Sequence, residues 1–352
     1  MNRKLAIIGI IIVVLLGTVV FLYAAYTSDI GFLSKVNNKG NYIKFQVNQG
    51  EAQNQVLQTL KVDGSIKSVI AAKIYIDTTN PFFTFSQGLY RIYNGENLKT
   101  LLNNFNKGPF YTTITLPSGL RIGEVANVIR NELSVDNSSY NFSVTNFRYI
   151  AHNSAHSFGY AFLSQVPGNS LEGFLYPGTY EVPKNANAKY IINKELNSFE
   201  NSVYIPYTKS QITNTDNLNF YQNIIIASIV RRETLYDQDK PLVANIFIRR
   251  HNAGIPLGSD ATVQYLLGFD NSEQKWWRSN ITAQDLAINS PYNTRLNVGL
   301  PPTPICSPGI ISMKSTFDSK PNPYWYFLSG KNGHLHYAIT SQGQINNIQK
   351  YL

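Results

Sequence analysis

Glu233 is the residue in this sequence best placed to do chemistry. It lies near the end of the apolar run Ile224-Ile225-Ile226-Ala227-Ser228-Ile229-Val230-Arg231-Arg232-Glu233-Thr234. At about 100° per residue, a helix puts Glu233 on the face of Ile226, Ile229 and Val230, the stripe that seeks burial. A carboxyl on such a face loses hydration, so its pKa rises and it keeps its proton near neutrality. That property suits a general acid working at a glycosidic oxygen. An ion pair with Arg231, Arg232 or Arg250 at the helix end is the competing role, and ion pairs also perturb pKa. The residues alone leave both roles open. Asp260 has two readings as well: a second catalytic carboxylate, or a cap for a helix starting near Thr262, and capping or loop-bracing is the reading taken here.

Other chemistry-bearing residues carry less. His152 and His156 have the spacing of a metal pair on a helix, but no HExxH glutamate follows and the segment is rich in Ser and Asn, so no metal is expected. His334 tops a C-terminal turn, where it either reaches the site or only closes the turn. Cys306, the single cysteine, lacks a nearby histidine base and reads as a buried thiol; alone it excludes a disulfide framework. Ser228 lacks the glycines of a nucleophile elbow. Trp276 and Trp277 fit sugar stacking and packing equally well.

Positioning these groups requires an α+β fold. Val47-Asn48-Gln49-Gly50 leads into Glu51–Leu60, with Val56, Leu57 and Leu60 at helical spacing. Leu116-Pro117-Ser118-Gly119 leads into Leu120–Ile129, with Ile122, Val125, Ala126 and Ile129 likewise spaced. Strand-like Gly88–Ile92 precedes a helix over Asn97–Phe105, and Gly178–Val182 precedes one over Ala188–Phe199. A strand–helix…strand–helix unit is thus used twice, the second with an insert near 134–170. Helices follow at Asn219–Tyr236 and Leu242–His251, then an irregular Pro/Asn/Gly-rich segment over 286–309 of the kind that is usually functional. Tyr324–Leu328, the turn at 330–333 and His334–Thr340 read as a closing hairpin.

Of 352 residues, 43% are apolar and 14% charged, with 19 Phe and 23 Tyr; disorder is excluded and a real core is expected. The net charge of +9 comes from scattered Lys and Arg, without the basic blocks that track a phosphate backbone, so nucleic acid is not an expected partner. Asn2-Arg3-Lys4 precedes Leu5–Tyr26, a run without charge. That run reaches about 33 Å as a helix, enough for a hydrocarbon core of about 30 Å. Its length and aromatic exit favour an uncleaved anchor over a signal peptide, and Arg3 and Lys4 place the short end in the cytoplasm. The expected organisation is a cytoplasmic end (1–4), a transmembrane anchor (5–26), a stalk (27–41), a small βα domain (42–111) and a mixed α/β domain (112–352) that ends in a β-hairpin.

Several segments together resemble the MltG (YceG-like) family of endolytic murein transglycosylases. Ala227-Ser228-Ile229-Val230-Arg231-Arg232-Glu233-Thr234 is similar to the family's Ala-Ser-Ile-Val-Glu-x-Glu-Thr, with Arg231 in place of the first glutamate. Leu171–Tyr180, containing Glu172 and with Gly178 for the usual Asp, resembles a second stretch. Val243–Arg250, with Arg249 for Asn, resembles a third. Pro256–Tyr265, with Gly258 for Gln, resembles the Leu-Gln-Ser-Asp-x-Thr-Val-x-Tyr element. Ser290-Pro291-Tyr292-Asn293-Thr294, with Gly299-Leu300-Pro301-Pro302 and Ser307-Pro308-Gly309, is the most specific match. Tyr326-Phe327 and Gly333-His334 resemble the closing hairpin, although Ile345-Asn346 stands where the family has His-Asn. The likeness is strong over 112–352 and weaker over 42–111, which looks like a LysM-like module.

The resemblance implies a bacterial, cell-wall-acting lyase that cuts the MurNAc–GlcNAc β-1,4 bond of nascent peptidoglycan strands without water, leaves a 1,6-anhydro-MurNAc end and so terminates glycan elongation. One carboxyl acts first as acid and then as base, whereas ordinary glycosidases use two. It implies Glu233 as that group. Substrate contacts would come from Glu172, Ser259, Asp260, Thr262, Tyr265, Ser290, Tyr292, Asn293, Thr294 and His334. It implies no cofactor, and a single-pass protein of the inner (cytoplasmic) membrane with its bulk outside the cytoplasm, beside a glycan polymerase or penicillin-binding protein. A hydrolase using Glu233 and Asp260, or a non-catalytic glycan-binding scaffold, are the alternatives.

Overall fold

The computed structural model describes residues 2–29, 41–93, 96–134, 141–210 and 218–352. The chain is mixed α/β. Helix α1 (Asn2–Asp29) comes first. The expected membrane run falls within it, but the side chains at 5–10, 21, 22 and 25 lie outside the described residues, as do most of the expected stalk and part of the 134–170 insert. Among the described residues no helix is long and apolar enough to cross a membrane.

Two compact units make up the chain, one ending at Thr112 and the other running from Thr113 to Leu352. In the first, β1 (Tyr42–Val47), α2 (Gln53–Val62), α3 (Val69–Thr79), β2 (Gly88–Tyr93) and α4 (Leu98–Asn106) follow in order. β1 and β2 pair antiparallel, Phe45 opposite Tyr90. Alternation turns Phe45, Val47, Tyr90 and Ile92 onto one buried face. There Phe105 of α4 meets Phe45, Phe85 and Tyr90 with ring centroids 4.4–6.0 Å apart. Val56, Leu57 and Leu60 are buried at their helical spacing. Helix α3 carries only a faint amphipathic signature and is invisible to periodicity; Ser68 starts it by accepting from the Ala71 amide.

The second unit repeats that order with β3 (Tyr111–Leu116, whose first two residues fall before the division), α5 (Ile122–Ser134), α6 (Val144–Asn153), β4 (Gly178–Pro183) and α7 (Ala188–Phe199). Asn97 and Asn187 cap α4 and α7 in the same way, each side chain accepting from the amide three residues on. α7 continues through a π turn, Glu200–Tyr204, into α8 (Ile205–Lys209). Then come α9 (Phe220–Glu233), α10 (Lys240–Asn252), α11 (Asp260–Leu267), the single turn α12 (Ala283–Leu286) and α13 (Ile310–Phe317). The hairpin of β5 (Tyr326–Ser329) and β6 (Leu335–Ala338) pairs antiparallel, Phe327 opposite Tyr337. A final helix, α14 (Ser341–Tyr351), lies on it: Gln344 Nε2 donates to Phe327 O at 2.9 Å. The weakly apolar α14 was not expected; it is stabilised by hairpin contacts rather than by a deeply buried face.

Helix α9 is the axis of this unit. Asn219 and Gln222 form a capping box at its start, and every side chain from Asn223 to Val230 is buried. An apolar surface on all sides demands neighbours all round, supplied by α10, α11 and α13. The helix ends at Glu233, earlier than Tyr236, because Thr234 turns extended and its hydroxyl donates to Val230 O at 3.1 Å.

Candidate active site

The end of α9 meets the start of α11 at Glu233. Ser259 sits at the N-cap position of α11, but its hydroxyl does not cap that helix; it donates to Glu233 Oε1 instead. The Ala261 amide, in the first turn of α11, also donates to the Glu233 carboxyl. A helix N-terminus therefore addresses the carboxyl, which favours its ionised form. Burial acts the other way and wins, pushing the Glu233 carboxyl up from its ordinary value; the Ser259 hydroxyl pulls it down, neighbouring Asp260 adds to the rise, and Ala261 and Arg232 moderate it. Part of Glu233 stays open to solvent. A protonated acid held by a hydroxyl at an accessible edge can give a proton to a bound oxygen and take one back.

None of the three arginines forms the ion pair that competed for Glu233. Arg231 donates from Nε and Nη2 to Ser118 Oγ and O at 2.8 and 2.9 Å. The Arg232 guanidinium lies 3.8 Å from the centroid of the Trp277 ring. Arg250 donates to Trp325 O and Leu257 O at 2.9 and 2.6 Å.

Asp260 is the first residue of α11 rather than its cap, and of the two structural roles expected for it, capping or loop-bracing, its contacts are those of a brace. It is exposed and ion-paired with Arg295, which ties the irregular loop to α11. Three further residues expected at the substrate turn inward. Thr262 and Thr294 share a hydrogen bond between hydroxyls at 2.9 Å, and the Ser259 amide donates to Thr294 Oγ1 at 3.2 Å. Asn293, with 0% exposure, donates to Leu286 O and Ile288 O, both at 2.9 Å, and accepts from the Arg295 amide. Thr262 and Thr294 thereby hold Ser259 in place, while the Asn293 side chain braces the loop itself. Gly258, at φ +70°, makes the turn before Ser259 while its amide donates to Thr294 O. Half-buried Ser290 accepts from the Tyr292 amide, shaping the same loop.

Glu172 forms a separate buried cluster. It is 2% exposed, and its carboxyl accepts from the Ile122 amide at the start of α5 and from the Tyr265 hydroxyl at 3.2 Å. Burial raises it to about 7 against the pull of Arg121. Arg121 donates to Tyr265 O at 2.6 Å and its guanidinium lies 4.1 Å from the centroid of that ring. Tyr265 packs against Tyr292, whose hydroxyl bonds Thr303 Oγ1 at 2.8 Å. Glu172 therefore joins α5 to α11 behind the loop rather than facing substrate.

His334 stacks on Tyr236 with centroids 4.9 Å apart, so the hairpin tip rests on the segment leaving Glu233. Trp277 donates to Glu124 and carries Arg232, and a Cβ at Gly123 would lie 2.5 Å from Trp276; both tryptophans pack. Cys306 is buried with its thiol pushed up to about 12 by desolvation. Ser228 accepts from the Ile305 amide at 3.0 Å, fastening the loop to α9.

A model of the YceG-like family matches residues 45–350. The chain belongs to this family. Among its relatives, a protein named endolytic murein transglycosylase from Streptococcus pneumoniae (strain R6) is 23% identical over 336 residues, covering 90% of this chain and 59% of that protein. One of the same name from Bacillus subtilis is 24% identical over 321 residues, covering 88% of this chain and 85% of the relative. The chain thus spans less than two thirds of the streptococcal protein. A crystal structure of a yceG-like protein from Listeria monocytogenes aligns with a TM-score of 0.58 and 21% identity, over 87% of this chain and 98% of that one; it shares the fold. In this YceG-like chain, the pairing of Ser118 with Arg231 escapes sequence reasoning, since the partners lie 113 positions apart. The basic residue near the end of α9 and the Pro-Ser-Gly turn were its only signals.

Proposed function

We propose that this chain is a membrane-anchored endolytic murein transglycosylase with Glu233 as its single acid and base. The observation that carries the reading is the carboxyl of Glu233, raised by burial, held by Ser259 and still open at one edge. Protonated Glu233 gives its proton to the GlcNAc O4 as the bond from MurNAc C1 breaks. The resulting carboxylate takes the proton from the MurNAc C6 hydroxyl as O6 closes on C1. The acid is regenerated and no water is consumed. A hydrolase would require a second carboxylate to direct water, and Asp260, the nearest candidate, is engaged by Arg295.

The relatives that carry this name support the reading. The anchor is supported by the uncharged run Leu5–Tyr26 and by Ile11, Val13, Leu16 and Val20, which are exposed on α1. It would put the bulk of the chain outside the cytoplasm, with the LysM-like module over 42–111 gripping glycan and a glycan polymerase or penicillin-binding protein as neighbour. Murein digested with the detergent-solubilised full chain and analysed by mass spectrometry tests the reaction. Anhydro-muropeptides are expected; new reducing ends would indicate hydrolysis, and no product a binding protein.

A further inference from the structure

On the side of α9 turned toward Ser118 lies a cleft of about 420 Å³, lined by Ser118, Tyr176, Arg231, Leu235, Lys240 and the first residues of α13. Arg231 and Leu235 lie two residues to either side of Glu233 along the chain, and at about 100° per residue the Arg231 side chain leaves α9 on the face away from the Glu233 carboxyl. Three features give it a preference for anions. The eight-residue α13 starts from Gly309 without a side-chain cap, and its first three amides find no acceptor among the described residues; this leaves the positive end of a helix facing the cleft. Ser312, in that first turn, is 1% exposed and its hydroxyl has no hydrogen-bond partner among the described residues. A buried hydroxyl without a partner costs free energy unless something fills the place. Arg231 uses Nε and Nη2 on Ser118, which fixes the guanidinium and leaves Nη1 for a ligand. Lys240 adds a cation, and Asp237 beside it is its ion-pair partner, so the cleft keeps a net positive charge.

We propose that this cleft binds a carboxylate of the peptide stem borne by the glycan strand, so that cleavage is directed to peptide-bearing strands. The assignment of the stem rests on the murein reading; the anion preference rests on the cleft alone. The volume suits a short peptide rather than a bare ion, and an extended stem of a few residues, at about 3.5 Å each, can reach past the width of α9, about 10 Å, from a strand seated at Glu233. Phosphate groups of a lipid-linked strand share the oxyanion chemistry and are the competing source.

Calorimetry with the full chain tests this without turnover, using a synthetic stem tripeptide with free carboxylates, the same peptide amidated, and inorganic pyrophosphate. The free-acid peptide is expected to bind at least about tenfold more tightly than the amide, as expected when a charge-assisted contact is lost. Arg231→Met should weaken it by about tenfold, and Ser312→Ala by about threefold. Because the Ser312 hydroxyl has no partner among the described residues, Ser312→Ala should keep or raise the melting temperature, so a merely structural loss is distinguishable even if Arg231→Met folds poorly. Equal binding of acid and amide, no change in Ser312→Ala, or binding of pyrophosphate but not peptide would each overturn the proposal. Carboxylate-dependent binding by a chain that yields no anhydro ends would support the cleft while removing the reaction assigned above.

Discussion

Glu233 and Glu172 are built with the same device, yet differ in access. Glu233 and Glu172 each receive an amide from the start of a helix, α11 and α5 respectively, and each receives a hydroxyl, from Ser259 and Tyr265. Burial raises both. The difference is access. Glu172 is sealed beneath Tyr265 and Arg121, so its proton only joins elements; Glu233 lies at a helix end where the chain turns away and keeps an open edge. A raised carboxyl is thus a sign of burial, and it becomes an acid catalyst only where a substrate can reach it.

Glu233→Gln should separate the pair most sharply. Anhydro-muropeptide release is expected to fall by about a thousandfold with little change in melting temperature; product at the original rate would remove Glu233 from the mechanism. Glu172→Ala should do the reverse, lowering unfolding free energy by about 3 kcal/mol, because the Tyr265 hydroxyl and the Ile122 amide lose their buried acceptor. Urea denaturation measures it, and activity per folded molecule should stay near the original.

The raised pKa of Glu172 has a sign in stability. Its folded value, about 7, exceeds the ordinary 4.5, so the native chain binds the extra proton between those limits. Its contribution is full below pH 4.5 and is lost as pH rises to about 7, on the order of 3 kcal/mol. Denaturation curves at pH 4.5 and 7.5 should show Glu172→Gln with a flatter dependence than the parent; an unchanged slope would mean that the group titrates normally. Smaller effects are expected at the partners of Glu233. Ser259→Ala removes the bond that favours the ionised form, so the alkaline limb of activity should move to higher pH while turnover drops by about tenfold. Asp260→Asn removes a neighbouring negative charge and should move that limb slightly lower. An Asp260→Asn variant that loses activity as completely as Glu233→Gln would restore the hydrolytic reading.

Much of this was legible in the residues. Ile226, Ile229 and Val230 placed Glu233 on a buried face, and Val56, Leu57 and Leu60, with Ile122, Val125, Ala126 and Ile129, marked two helices by their spacing. The strand–helix repeat was readable from periods of two and of about 3.6 residues. α3 and α14 were not readable: one is apolar without a stripe, and the other is polar and depends on the hairpin beneath it. Asn293 illustrates the limit at the site. Its place in a polar loop suggested a sugar contact, yet its amide is consumed by Leu286 and Ile288 carbonyls that only the folded loop brings near.

The sequence by itself determined most of the helices and the buried face on which Glu233 stands, because these depend on neighbours within a turn or two. Tertiary structure decided what surrounds that acid. It matched Ser259 to Glu233, sent Arg231 to Ser118 and Asp260 to Arg295, and sealed Glu172 while leaving Glu233 open. Those outcomes rest on distances between residues 26 to 113 positions apart, and no local spacing encodes them.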